Sequence, residues 1–389
     1  MNLVNDKKKC SGCGACVHIC PKKAITFIED EYGVRYPNIN KEKCVNCNLC
    51  KKSCEYFSYD KKRDDLKCYA GYTTDDKIYK NSSSGGIFSQ FAKNFVVNGG
   101  YVCGAIFDYS SENIIVKHYI TNKLDELRLF SGSKYVQSNA FLVFEDIKKL
   151  LDNHKKVLFS GTPCQIVGLR SYLKKRYDNL YTIDIICHGA PDSKIFSDYT
   201  NYLKNKKNIS IDKIVFRDKS NGLGLTGYIE GTKKGKKVKI PFKNNEDSYY
   251  YLFQNGYLYR KNCYSCPFSS NRRPGDITIG DYWGIEKEHP SFHKGESTSC
   301  IIINSVKGNE LLENCGNCIE LIESSFEKIA RNNDQLCHPT IEPILNERLM
   351  NVYSKYGYEG VIKYYPRIYG RKKFLIRKMK TLVKNAIKK

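Results

Sequence analysis

Nowhere does the chain run for the roughly 18 apolar residues that a membrane-spanning helix needs. No apolar core follows the charged start Met-Asn-Leu-Val-Asn-Asp-Lys-Lys-Lys, as one would in a secretory signal. These absences predict a soluble, cytoplasmic chain in a reducing compartment, with cysteines used as metal ligands and not as disulfide partners. His118, His154, His293 and His338 show no ligand spacing. No Cys-x3-Cys-x2-Cys run occurs, which excludes the radical chemistry of S-adenosylmethionine. Acid is missing from one long stretch: Gly360 to Lys389 holds 11 Lys/Arg and no Asp or Glu, nearly half of the net +23. Because the excess is local, nucleic-acid binding is not expected despite the charge and the 30 tyrosines.

What is abundant is cysteine, 18 in 389 residues. The first run is Cys10-x2-Cys13-x2-Cys16-x3-Cys20-Pro21, and the second is Cys44-x2-Cys47-x2-Cys50-x3-Cys54. Three cysteines at two-residue gaps wrap one face of a cubane cluster, and the fourth, a helical turn on, serves the other cluster. The expected sets are therefore Cys10, Cys13, Cys16 and Cys54, and Cys44, Cys47, Cys50 and Cys20. Gly12 and Gly14 let the first loop fold tightly. Zinc sites favour separate Cys-x2-Cys pairs over two four-cysteine runs, so two 4Fe-4S clusters are expected in residues 1–60. The second run has Glu55 where the first has Pro21, a departure that removes no ligand.

A polar stretch after Cys54 reads as a linker. Beyond it, strand and helix patterns alternate: a strand at Tyr69–Tyr72, a helix opening at Ser82-Ser83-Ser84-Gly85-Gly86, and a strand at Tyr101–Phe107. A helix from Phe141 to Leu151, a short buried strand at Val157-Leu158-Phe159 and another at Leu180–Ile186 follow. The stretch from Ile214 to Phe242 reads as a hairpin excursion. The expected fold is an α+β ferredoxin-like N-terminal module, then an α/β (mixed-sheet) flavin/deazaflavin-binding domain and a basic C-terminal helix. The expected segments are 1–60, 66–150 and 151–345 as two parts of one domain, and 346–389 as a basic tail.

In open α/β sheets, ligands bind beyond the carboxyl ends of the strands. Gly161-Thr162-Pro163-Cys164-Gln165 and Cys187-His188-Gly189 follow two such strands, and Cys263-x2-Cys266-Pro267 comes later. Cys164, Cys187, Cys263 and Cys266 either hold a third 4Fe-4S cluster or are small buried residues and a lone pair. Ser84, Gly85 and Gly86 at a helix start form a natural phosphate seat, although glycine there is also common for conformational reasons. In Ser131 to Ser138, Lys134 could pair with a pyrophosphate and Tyr135 could stack on a ring, the alternative being an ordinary polar loop. Cys68, Cys103, Cys300, Cys315, Cys318 and Cys337 lack such context.

The ordered set of Ser84-Gly85-Gly86, Gly132 to Ser138, Gly161 to Gln165, Cys187-His188-Gly189, Phe216-Arg217-Asp218-Lys219, Cys263-x2-Cys266-Pro267 and Asp276-x3-Gly280-Asp281-Tyr282-Trp283-Gly284 resembles the coenzyme F420 hydrogenase/dehydrogenase beta subunit family, in the form fused to a ferredoxin domain. The resemblance covers about residues 1 to 340. It implies an oxidoreductase in which FAD lies near a third cluster and passes electrons to coenzyme F420 or another small acceptor. It also implies that Ser84, Gly85, Gly86, Lys134, Tyr135, Ser138, Thr162 and Gln165 contact the flavin. Abundant Lys, Asn, Ile and Tyr suggest an AT-rich genome, and a surface-polysaccharide pathway is one setting for such a relative. A ferredoxin-type electron-carrier subunit, working with a redox partner protein and without its own substrate chemistry, is the competing expectation.

Leu375, Ile376, Met379, Leu382, Val383, Ala386 and Ile387 share one helical face, with lysines and arginines around it. Such a helix reads as a peripheral contact with anionic membrane, or as a basic helix docked on the protein itself.

Overall fold

The computed structural model describes residues 6–54, 66–219, 225–293, 297–370 and 373–376. In the N-terminal module, β1 (Ile25–Glu29) pairs antiparallel with β2 (Arg35–Ile39). The turn between them is tied by Asp30 Oδ1, which accepts from the N–H groups of Tyr32 and Val34, both at 2.9 Å. Two short helical turns, Ala15–His18 and Leu49–Lys52, carry cysteines from the two runs. Each follows a left-handed residue, Gly14 (φ 81°) and Asn48 (φ 56°) respectively. Glycine and asparagine reach that conformation at low cost.

The module does not stand apart. A side chain at Gly14 would collide with Phe141, its Cβ falling 2.4 Å from the Phe141 Cβ. Phe27 and Phe141 meet with ring centroids 5.1 Å apart. The amide of Gln137 donates to Ser11 O at 2.8 Å.

The larger part is one eight-stranded mixed sheet. Its strands are β3 (Lys67–Thr73), β4 (Tyr101–Asp108), β5 (Ile115–Thr121), β6 (Val157–Gly161), β7 (Leu180–Ile185), β11 (Ile277–Asp281), β12 (Ser299–Ile303) and β13 (Ile319–Ser324). Their order is β13-β3-β12-β11-β7-β6-β4-β5. The middle four, β11, β7, β6 and β4, are parallel, and the pairs outside them are antiparallel. Helices cover the parallel centre, as its two-sided burial requires. Helix Ile87–Val97 sets Ile87, Phe91 and Val96 against Leu158, Ile183 and Ile301. Helix Pro163–Leu173 places Ile166, Leu169 and Leu173 in a cluster with Phe144, Ile147 and Phe159.

The Ile214–Phe242 excursion is a three-stranded antiparallel sheet, formed by β8 (Lys213–Val215), β9 (Thr226–Lys233) and β10 (Lys236–Lys243) in the order β10-β9-β8. It borders an aromatic core of Phe196, Tyr199, Phe216, Tyr249, Tyr250 and Tyr353. Many tyrosines are thus interior, with their hydroxyls paired: Tyr199 to Asp247 at 2.9 Å, Tyr249 to Tyr135 O at 2.7 Å and Tyr353 to Asp198 at 2.6 Å.

Residues 346–369, expected within a tail, form the helical span Asn346–Tyr369, two helices joined by a kink at Gly357 (φ 60°), which buries Leu349, Met350, Tyr353 and Tyr358 in that core. The basic face expected beyond it lies outside the described residues except at 373–376, where Phe374 packs edge-on against Tyr365 at 6.0 Å. Among the described residues, no helix is long and apolar enough to cross a membrane.

Candidate iron–sulfur and cofactor site

The eight cysteines of the N-terminal runs divide between two cavities. One, of about 220 Å³, is lined by Cys10, Cys13, Cys16 and Cys54, and also by Cys164 and by Cys50, which lines both cavities. The other, about 60 Å³, is lined by Cys20, Cys44, Cys47 and Cys50. The fourth cysteine of each run lies with the first three of the other. Burial pushes the Cys13 thiol up to about 12, helped by the charges of Cys10, Cys164 and Cys54, and it raises Cys16, to which Cys13, Cys10, Cys54 and Cys50 add. Cys50 is raised by burial and by Cys20 and Cys47.

The four later candidates also converge. Cys164 opens helix Pro163–Leu173 behind Pro163, whose missing N–H costs nothing at that position. Cys187 follows the end of β7, and Cys263 lies in the 3-10 turn Lys261–Ser265. Cys164 and Cys266 share a small apolar cluster with Val167 and Phe268. Burial raises Cys164 to about 12 and Cys187 to about 11, and charges of the other cysteines in this group act on each. Thiols gathered on neighbouring loops could serve an anionic cluster, while among the described residues no three His, Cys, Asp or Glu side chains are placed to hold a metal ion.

Two buried ion pairs hold this group in place. Arg273 reaches Asp184 from Nη2 at 2.6 Å and from Nε at 3.0 Å, and it donates to Ile185 O at 2.9 Å and Phe268 O at 2.7 Å. It therefore clamps the end of β7, next to Cys187, to the loop after Cys266. Arg260 pairs with Asp192 at 2.5 Å.

Beyond the carboxyl ends of β6, β7 and β11 lies a cavity of about 410 Å³. Of the expected flavin contacts, Ser84, Gly86, Lys134, Tyr135, Ser138, Thr162 and Gln165 line it. Gly85 is not among the lining residues. It is required for packing, since a Cβ there would fall 2.4 Å from Gly71 O. Gly86 (φ 80°) caps the helix Ile87–Val97, whose first turn faces the cavity.

Lys134 and Tyr135 line the cavity and are both also engaged within the fold. The Lys134 ammonium is bound internally. It donates to the carbonyls of Leu129, Phe130, Ser131 and Gly132 at 3.2, 2.8, 2.9 and 3.1 Å, closing the end of the 3-10 helix Leu124–Phe130. Burial pulls its pKa down to about 7. The Tyr135 ring stacks on Phe253 at 4.4 Å and 20°.

Ser138, Thr162 and Gln165 form a wall already joined by hydrogen bonds. Thr162 N donates to Gln165 Oε1 at 2.9 Å, and Gln165 Nε2 donates to Ser138 Oγ at 2.9 Å. Ser138 Oγ lies 3.0 Å from His118 Nδ1, and His118 Nε2 lies 2.8 Å from Ser160 O. Because Ser160 O only accepts, Nε2 carries the proton, and Nδ1 accepts from the Ser138 hydroxyl. Burial lowers the His118 pKa to about 4, which keeps the ring neutral.

His118 carries no ligand spacing in the sequence, and its strand, β5, has no clear local pattern, so its place in this wall emerges only from the fold. Arg217, Asp281 and Trp283 also line the cavity, beyond the residues that the sequence offers as flavin contacts. Arg217 pairs with Asp281 at 3.0 Å and lies 5.3 Å from the Trp283 ring, which is 42% exposed. Their signal was present in the two motifs Phe216 to Lys219 and Asp276 to Gly284.

Comparison with known proteins agrees with this organisation. Residues 9–57 match the 4Fe-4S dicluster domain, and residues 154–328 match the family described as the C terminus of the coenzyme F420 hydrogenase/dehydrogenase beta subunit. Over 54 residues the chain is 37% identical to an uncharacterized ferredoxin of Methanocaldococcus jannaschii, 14% of this chain and 69% of that one. Over 253 residues, 60% of this chain, it is 25% identical to the coenzyme F420-dependent sulfite reductase of the same organism, of which it spans 38%. A chain in the F420-reducing NiFe hydrogenase complex from Methanosarcina barkeri aligns over 79% of this chain and 92% of its own length, at 16% identity and a TM-score of 0.42. Residues 154–328 thus carry the C-terminal domain of the coenzyme F420 hydrogenase/dehydrogenase beta subunit family, and residues 9–57 a 4Fe-4S dicluster domain in front of it.

Proposed function

We propose that this protein is an iron–sulfur flavoprotein oxidoreductase that carries electrons through three 4Fe-4S clusters to a flavin, and from there to coenzyme F420 or another small acceptor. In this reading Cys10, Cys13, Cys16 and Cys54 hold one cluster, Cys20, Cys44, Cys47 and Cys50 a second, and Cys164, Cys187, Cys263 and Cys266 a third. The flavin occupies the cavity beyond β6, β7 and β11.

One observation carries the reading: Cys164 borders the cavity of the first cluster, while its neighbours Thr162 and Gln165 line the large one. The three cysteine groups and the cofactor cavity are thus contiguous. When bound, the clusters pass single electrons, and the flavin pairs them into a two-electron transfer. The chain's own residues bind and orient. The first turn of helix Ile87–Val97 offers N–H groups and a positive dipole end to a phosphate. Neutral His118 holds the Ser138–Gln165 wall in one hydrogen-bonding sense, and Arg217 and Trp283 flank the open side where an acceptor would enter.

The test is an anaerobic preparation with iron, sulfide and flavin quantified together. About 12 irons and one flavin per chain support the reading. A second reading, an electron-carrier subunit without substrate chemistry, is favoured by the commitment of the Lys134 ammonium to four carbonyls. It expects iron without flavin.

A further inference from the structure

Arg260 stands where the ferredoxin module meets the cysteine-bearing loops of the larger domain. Its backbone belongs to those loops: Arg260 N donates to Ala190 O at 3.1 Å, and Cys263 N donates to Arg260 O at 2.9 Å. Its side chain crosses into the module. Nη2 donates to Arg35 O at 3.0 Å, and the guanidinium lies 5.1 Å from the Tyr36 ring centroid. It packs against the loop between Cys10 and Cys13 so closely that a Cβ on Gly12 would fall 2.9 Å from Nη2.

Three features set this side chain apart. It is 2% exposed, as is its partner Asp192. Its Nε has no hydrogen-bond partner. And Asp192 also accepts from Arg35 Nε at 3.1 Å, so the carboxylate is shared between buried Arg260 and Arg35, whose side chain is 21% exposed. A shared counter-charge and an unmade N–H bond both leave the buried guanidinium short of partners. An anionic group beside it would supply both. Cluster thiolates are such a group, and Arg260 packs against the loop between Cys10 and Cys13 while its backbone leads directly to Cys263.

We propose that Arg260 sets the reduction potentials of two clusters at once, the one held by Cys10, Cys13, Cys16 and Cys54 and the one held by Cys164, Cys187, Cys263 and Cys266. The inference rests on the cluster assignments proposed above and adds a direction to them. A cluster gains negative charge on reduction, so a fixed buried cation favours the reduced form. The cavity of Cys20, Cys44, Cys47 and Cys50 is lined not by Arg260 but by the exposed Lys22 and Lys51. Arg260 would therefore favour the reduced form of the two clusters beside it and leave the remaining one unchanged, with no bond made or broken.

The experiment uses the full chain, reconstituted anaerobically, as wild type, Arg260→Gln and Asp192→Asn. Iron and sulfide are counted, and each cluster is followed by electron paramagnetic resonance during a dye-mediated titration with dithionite. For Arg260→Gln we expect unchanged iron and, at a fixed ambient potential, a reduced-to-oxidised ratio at least tenfold lower in the clusters beside Arg260, which is about 59 mV for one electron. The Cys20, Cys44, Cys47 and Cys50 cluster should not move. Asp192→Asn, which strips the counter-charge, should shift the same clusters the opposite way. Full iron with no shift, or an equal shift in every cluster, overturns the proposal. If Arg260→Gln does not hold iron, Asp192→Asn decides alone, and the absence of an upward shift overturns it. A wild type with only about eight irons would sink the three-cluster reading instead, and the role of Arg260 would still be read at the Cys10 cluster.

Discussion

Gly168 lies directly against Cys13: a Cβ on Gly168 would fall 2.6 Å from the Cys13 Cβ and 3.2 Å from its sulfur. Gly168 sits in helix Pro163–Leu173, one turn after Cys164, so the helix that presents one cysteine group is fitted to the loop that presents another. In a helix interior glycine costs about 1 kcal/mol relative to alanine, and here close approach explains its presence. Gly168→Ala should reverse that balance. Overpacking costs about 1–3 kcal/mol, and the strain falls on Cys13. The expected outcome is a lower melting temperature together with faster loss of iron to a mild chelator. A variant as stable as wild type in both respects would show that the two elements separate more freely than their packing indicates.

The crossing of the two runs makes a second prediction. Cys54→Ser should remove the signal of the cluster that Cys10, Cys13 and Cys16 hold, and Cys20→Ser that of the Cys44, Cys47 and Cys50 cluster. Two double variants check it. Cys54→Ser combined with Cys10→Ser should lose no more iron than either alone, whereas Cys54→Ser with Cys44→Ser should lose about twice as much. The reverse pattern would mean that each run closes on its own cluster.

The cysteine pairing is legible because the spacing itself encodes it, and the β6 and β7 loops are legible because short apolar strands ending in Gly and Pro read clearly. Other parts are not. Strand β5 (Ile115–Thr121) alternates weakly, since Lys117 and Tyr119 share it with His118, and so the histidine on it looks idle in the sequence. Strands β12 and β13 are antiparallel additions to a parallel centre, a choice made by long-range pairing with β3 and invisible to local pattern. Lys134 looks like a phosphate ligand because a lysine in a Ser/Gly loop resembles one. The four carbonyls that claim it come from the end of the preceding 3-10 helix, which no local signal marks. The helical span Asn346–Tyr369 is hidden by its composition, because its buried residues mix Tyr353, Tyr358 and Tyr365 with Asn346 and Gly360, and a kink at Gly357 breaks its period.

Asp184 tests the clamp beneath the third cysteine group. Both partners of the Asp184–Arg273 pair are buried, at 0% and 1% exposure, and Gly275 N also donates to Asp184 at 2.7 Å. Removing one partner of such a pair typically costs about 3–5 kcal/mol, because the other charge is left buried. Asp184→Ala should therefore destabilise the larger domain by that order, measured as the shift in urea midpoint. Asp184→Asn keeps the volume and an acceptor and should cost less. If the two variants are equally mild, the guanidinium has found another partner and the clamp is dispensable.

His118 makes the last prediction, through pH. Its folded pKa is about 4, because burial disfavours the charged ring. In the unfolded chain it returns to about 6.5. Between these values the unfolded state binds the extra proton, so stability rises with pH through this window and is lost as pH falls from about 6.5 toward about 4. From about pH 7 to pH 5 the loss due to this one residue is about 2 kcal/mol. Protonation would also put a donor at Nδ1 facing the Ser138 hydroxyl, which must then turn its own proton away and accept from both His118 and Gln165. His118→Gln should have lower stability at about pH 7 but a flatter decline to about pH 5, read from urea midpoints of both proteins at both pH values. Equal declines would assign the acid sensitivity to another group and leave the histidine as a packing residue stacked on Phe159.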